Sequence, residues 1–138
     1  MTLQIESLNI LAMVVCVVTN MVIGALWYSP VLFGNAWLRL TGKKAEDISK
    51  EDANKSMMLG IIPSILITVF LALLVEFVGA STVLDALVVG SLVSIGFIGM
   101  SALNLVFFEN RSFKLAVLNV GYSFASLNVA AVILTLWT

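Results

Sequence analysis

Three asparagines set in otherwise apolar runs, Asn20, Asn104 and Asn119, are the residues of this sequence best placed to do chemistry. A carboxamide donates and accepts hydrogen bonds, carries no charge and gives up no proton near neutral pH. The chemistry on offer is recognition of a neutral group or the joining of two helices, at about 0.6–2 kcal/mol per amide pair in lipid. The residue types that other chemistry needs are missing. Histidine is absent and Cys16 is the only cysteine, which excludes an intramolecular disulfide and any zinc, haem or iron–sulfur site built on His or paired Cys. Cys16 lies in an apolar run with no base beside it and reads as a packing residue. There is no Ser–His pair, no HExxH, no Gly-rich phosphate loop and no catalytic pair of carboxylates. Neither an enzyme nor a cofactor is expected.

The elements that must position the three amides follow from composition. Of 138 residues, 61% are hydrophobic and 11% charged, and the mean hydropathy is +1.11. Soluble domains carry about 25% charged residues, and a chain this short has too little interior to hide so much apolar surface from water. Lipid is the solvent this pattern implies. Four apolar stretches of 20 residues or more match a hydrocarbon core about 30 Å thick, and in lipid they must be helices to satisfy their own backbone. The prediction is an all-α, integral membrane four-helix bundle, one domain over residues 1–138, with helices at about 7–28, 50–77, 83–108 and 113–137. The opening MTLQIESLN has no positive charge and no small-residue cleavage site follows, so a cleaved signal peptide is not expected.

Charge gives the orientation. Arg39, Lys43, Lys44, Lys50 and Lys55 lie between helices one and two, and Arg111 and Lys114 between helices three and four. Four spans put these two groups on one side, and the positive-inside rule makes that side cytoplasmic. The expectation is a multi-pass bacterial inner (cytoplasmic) membrane protein with both termini outside and with loops 29–56 and 109–114 in the cytoplasm. The net charge of −1, with no basic patch, argues against a nucleic-acid partner.

Residues 25–37, ALWYSPVLFGNAW, mark where the chain leaves the membrane. Trp27 and Tyr28 are amphipathic rings suited to interfacial depth, and Pro30 disfavours helix at Ser29. Phe33, Trp37, Leu38 and Leu40 form a short interfacial segment in the cytoplasmic loop, about 29–49, punctuated by Gly34 and Gly42. Trp27, Tyr28, Pro30, Phe33, Gly34 and Trp37 are candidates for an interfacial anchor, a lipid-head site or a gate. Further on, Ser49 and Asp52 predict a capping box and a helix start near Lys50.

Polar and small residues mark the helix faces. Asn9 and Asn20 are eleven residues apart and share a face with Met13 and Cys16. Ala12, Cys16, Asn20 and Gly24 form a small-residue ridge; Gly90 and Ser94 do the same on helix three, and Gly121 and Ala125 on helix four. Such ridges let backbones approach closely in lipid. With the derived orientation Asn20, Asn104 and Asn119 all fall in the cytoplasmic half. They either glue helices one, three and four together or line a small polar pocket open to the cytoplasm. Glu76, Asp85 and Glu109 lie at helix ends, and no charge lies near the bilayer centre, which argues against a proton-coupled antiporter.

Trp27-Tyr28-Ser29-Pro30, Phe33-Gly34 and Trp37, then Phe108-Glu109-Asn110-Arg111 and Asn119-x-Gly121-Tyr122, resemble a bacterial family of small four-helix membrane proteins known only as a domain of unknown function. The resemblance covers most of the chain. It implies an inner-membrane protein with no assigned activity, and it draws attention to Trp27, Tyr28, Pro30, Gly34, Trp37, Asn119, Gly121 and Tyr122. A His commonly follows the Gly-Tyr pair in that pattern; here Ser123 stands there, so the resemblance implies no metal or proton role at that position. The function expected is that of a non-enzymatic subunit, self-associating as a homo-oligomer or accessory to another membrane protein. The alternative is an oligomeric channel or carrier for a small neutral or weakly polar solute. Beyond these the lipid bilayer is the partner.

Overall fold

A computed structural model of the chain describes residues 5–137. The expectation of an outward N-terminus falls partly on residues 1–4, which lie outside the described residues. Among the described residues there are six α-helices: α1 (Ile10–Trp27), α2 (Gly34–Thr41), α3 (Lys50–Phe77), α4 (Val83–Ser91), α5 (Met100–Glu109) and α6 (Phe113–Leu136). A π-helical segment, Leu92–Gly99, joins α4 to α5 in one continuous rod, Val83–Glu109. With that rod, α1, α3 and α6 make four helices long and apolar enough to cross a membrane. The fold is an all-α four-helix bundle with a short extra helix, α2, after the first span.

Local chemistry sets the helix ends. Asn9, expected inside the first span, instead caps it: its Oδ1 accepts from the Ala12 N–H at 3.0 Å and its Nδ2 donates to the Trp137 carbonyl at 3.2 Å. An asparagine at a helix start supplies a carbonyl where backbone N–H groups lack partners, so α1 begins at Ile10, not at residue 7. Ser49 caps α3 by accepting from the Asp52 N–H, and its hydroxyl donates to the Asp52 carboxylate. Thr82 and Asp85 form a full reciprocal capping box at α4. Gly42, left-handed at φ 70°, ends α2.

The rod has a reason to widen in its middle. The Ser94 hydroxyl donates to the Gly90 carbonyl at 2.7 Å and lies 3.3 Å from that of Ser91. A serine hydroxyl that bonds back to the preceding turn competes with the backbone ladder and bends a helix, and Gly96 and Gly99 within the same segment oppose no side chain to the change.

The last span, α6, is the hub: it packs on α1, α2, α3, α4, α5 and the π-helical segment. The core, however, occupies only one half of the bundle. Ala12 and Cys16 of α1, Leu71, Ala72 and Val75 of α3, Ala86 and Val89 of α4, and Leu127, Ala130, Ala131 and Leu134 of α6 form one buried cluster. All lie toward the end opposite the Lys- and Arg-bearing loops. The tight spot is Gly90, where an added Cβ would stand 2.9 Å from the Cα of Asn128. In the other half, residues 50–67 of α3 and all of α5 contribute no buried side chain. The bundle is closed at one end and splayed at the basic end.

Candidate functional site

The splay opens a cavity of about 970 Å³ between α1, α3, α6 and the α2 loop. Its walls follow helical spacing. Asn20, Gly24 and Tyr28 line it from α1, four residues apart. Ser56, Gly60, Pro63, Ser64 and Ile67 line it from α3, and Tyr122, Ser123, Ser126 and Leu127 from α6. Ile98, in the π-helical segment, completes the inner end. Lys43, Asp47 and Asp52 are the charged residues at its mouth, with Trp37 beside them.

The inner wall is uncharged but not inert. Asn20 is only 5% exposed, and its Oδ1 is buried with no hydrogen-bond partner; Ser64 Oγ on α3 is likewise buried and unpartnered. Leaving a buried polar atom unpaired costs about 1–3 kcal/mol. The Tyr122 hydroxyl reaches the Asn20 backbone carbonyl at 3.3 Å, leaving the Asn20 side chain unpaired. It also lies 3.3 Å from where a Gly24 Cβ would stand. Gly24 is therefore the gap through which α6 approaches α1.

At the mouth the aromatic residues interlock. The Trp27 indole Nε1–H donates to the Leu118 carbonyl at 3.1 Å, and its ring centroid lies 4.7 Å from that of Phe33. Tyr28 packs edge-on to Trp37 and tilted against Tyr122, at 6.2 and 5.6 Å between centroids. Its hydroxyl donates to Asn119 Oδ1 at 2.8 Å. Burial, and then the neighbouring Tyr122, push the Tyr28 phenol up to about 12, so it stays a proton donor at any physiological pH. The Lys43 ammonium sits 5.3 Å over the Trp37 ring, a cation–π contact.

The turn that places Tyr28 is unusually tight. The Phe33 N–H donates to the Trp27 carbonyl at 2.9 Å and the Gly34 N–H to the Ser29 carbonyl at 2.8 Å. A Cβ on Gly34 would lie 2.5 Å from the Tyr28 carbonyl oxygen, so this position tolerates no side chain. Pro30 is exposed at the tip.

The three asparagines do not meet. Asn20 lines the cavity; Asn119 is exposed and holds Tyr28 at its edge; Asn104 is exposed on α5, outside the cavity lining. Of the expected three-amide cluster, Asn20 alone lines the cavity, together with Ser64 of α3. Of the helix-packing residues, Gly90 lies against Asn128, Gly121 against Trp27, and Ser94 is fully buried, whereas Ala125 is half-buried. The α3 wall was not singled out from the sequence, although Ser56, Gly60 and Ser64 repeat at four-residue spacing and mark a small, polar stripe.

A family model described as a protein of unknown function (DUF1761) matches residues 11–135 of the chain. Neither the curated proteins nor the solved structures contain a match.

Proposed function

We propose, for a chain that belongs to the DUF1761 family, that it is a multi-pass inner-membrane protein that binds a small, neutral or weakly polar molecule without chemically changing it. It acts as a binding or carrier module. The observation that carries this reading is a cavity of about 970 Å³ whose largely apolar walls carry a few polar residues, among them Asn20, Tyr28, Ser64, Tyr122 and Ser123. Sites for drug-sized molecules run to about 300–1,000 Å³ and pair apolar walls with a few polar groups. The positive-inside rule turns the mouth of the cavity, with Lys43, to the cytoplasm and both termini outward.

Gly60 supplies the test, because it lines the cavity and nothing stands within 4 Å of an added Cβ. Gly60→Trp puts an indole into the space from a position where the added Cβ itself meets no neighbour. Native mass spectrometry of the full chain, released gently from its own membrane, should show a retained small molecule in the wild type and not in Gly60→Trp. Equal retention by both proteins, or by neither, removes this reading.

A second reading, an oligomeric or accessory subunit, is favoured by one observation. Asn104 is an exposed amide on α5, a helix with no buried residue in an apolar span. Polar side chains within spans ordinarily find a partner, and a second copy or another membrane protein would supply one.

A further inference from the structure

On the premise that the cavity is a binding site, its depth and the charges at its mouth name the class of occupant. Along α3 the lining runs from Asp52 to Ile67. Its apolar part, Met57 to Ile67, rises about 15 Å at 1.5 Å per residue. That is half of a hydrocarbon core about 30 Å thick. Tyr28 and Trp37, rings of the kind that settle at the membrane interface, stand at the shallow end, and Ile67 and Ile98 at the deep end. The slot therefore runs through one leaflet, from the headgroup plane to the bilayer centre. Met57 and Ile67 line it while 49% and 44% exposed, so the wall offers apolar surface to an occupant. Such a wall gives water few partners, whereas an acyl chain matches it in length and in chemistry.

The mouth carries both signs of charge. Lys43 stands there with its ammonium 5.3 Å over the Trp37 ring. Asp47 and Asp52 share the rim, and among the described residues none of the three forms an ion pair. Across residues 39–55 five basic side chains are interspersed with four acidic ones. Sites for acidic lipids are clusters of about four to eight Lys and Arg, and this near-balanced rim is not one. A phosphate beside Lys43 and an ammonium beside Asp47 and Asp52 match it sign for sign. We propose that the cavity holds one acyl chain of a zwitterionic phospholipid from the leaflet at the basic end, with the headgroup at Lys43, Asp47 and Asp52 and the chain end at Ile67 and Ile98.

The test gives the full chain, in detergent micelles, equal amounts of phosphatidylethanolamine, phosphatidylcholine and phosphatidylglycerol with the same acyl chains, and counts bound lipids by native mass spectrometry. The two zwitterionic lipids should be retained about three- to fivefold over phosphatidylglycerol, the effect of one partly exposed ion pair. Asp47→Lys should reverse that preference, and Gly60→Trp should remove the bound lipid. A phosphatidylcholine with a diazirine at the end of one chain should label peptides containing Ile67 and Ile98 saturably. With the diazirine beside the glycerol it should label those containing Tyr28 and Ser56. Thermal melting checks the fold of each variant, and the depth of labelling in the wild type keeps the test meaningful if Gly60→Trp does not fold. Equal retention of phosphatidylglycerol, or no response to Asp47→Lys, overturns the headgroup match and leaves the chain site. Chain-end labelling spread over the outer helix faces, with retention unchanged in Gly60→Trp, overturns the lipid site. A different small molecule, retained from the native membrane and lost in Gly60→Trp, then leaves the binding reading standing alone, and the lack of one removes both.

Discussion

The indole of Trp27 lies across Gly121: a Cβ at that glycine would stand 3.0 Å from the ring carbon Cζ2, while the indole N–H is fixed on the Leu118 carbonyl one turn earlier in α6. The ring cannot retreat easily, because Phe33 packs against it at 4.7 Å between centroids. Gly121→Leu should therefore destabilise the fold by about 1–3 kcal/mol, the usual range for overpacking. Gly121→Ala should cost less, since better helix propensity returns up to about 1 kcal/mol. Reversible unfolding in mixed micelles measures both. An unchanged midpoint for the leucine variant would mean that Trp27 is not locked to α6.

Gly34 and Gly60 make opposite predictions for the same substitution. A Cβ at Gly34 meets backbone atoms of Tyr28 and Ser29 at 2.5 to 2.7 Å, and backbone held by two hydrogen bonds cannot step aside. Gly34→Ala should cost about 1–3 kcal/mol and loosen the Tyr28 ring from Asn119. Gly60→Ala meets nothing within 4 Å and should be neutral or stabilising by up to about 1 kcal/mol. The same unfolding assay compares them, and equal midpoints would contradict the tight turn.

These contrasts also show what a reader of the sequence can and cannot see. Span number and the tight aromatic turn were legible, because length, Pro30 and the glycines act locally. The splay was not. In lipid, a side chain that faces a cavity and one that faces acyl chains are both apolar, so hydropathy does not separate the two halves of α3. Asn104 and Asn119 were grouped with Asn20 by depth alone, yet their azimuths on α5 and α6 point elsewhere. Asn9 was misread for a different reason: a cap residue at the edge of an apolar run looks the same as a polar residue within it. The π-helical widening at Leu92–Gly99 depends on a hydroxyl choosing the Gly90 carbonyl, a choice no periodicity reveals.

Orientation is tested by thiol labelling. Cys16 is fully buried, its Sγ 3.6 Å from the Ala130 carbonyl, so Cys16→Ser gives a clean background. Lys44 and Ser81 are exposed in loops at opposite ends of the bundle. In intact spheroplasts a membrane-impermeant maleimide should label Ser81→Cys, and should label Lys44→Cys only after permeabilisation. The reverse pattern would place the basic end outside and detach the cavity mouth from the cytoplasm.

Asn104 decides between a lone bundle and an assembly. Its amide is exposed on a helix with no fully buried residue, between the exposed Met100 and Phe108. If α5 faces only lipid, the amide is a liability, and Asn104→Leu should leave stability unchanged or raise it. If α5 meets a second copy, amide pairing across the contact contributes about 0.6–2 kcal/mol, and the leucine variant should raise the dimer dissociation constant about three- to thirtyfold. The self-association reading expects the second result. Fluorescently labelled chains diluted into an excess of lipid give the dimer fraction directly from energy transfer. A fraction that does not change in Asn104→Leu, or a wild type already monomeric at high protein density, would leave the cavity as the working part of the molecule and α5 as a lipid-facing wall.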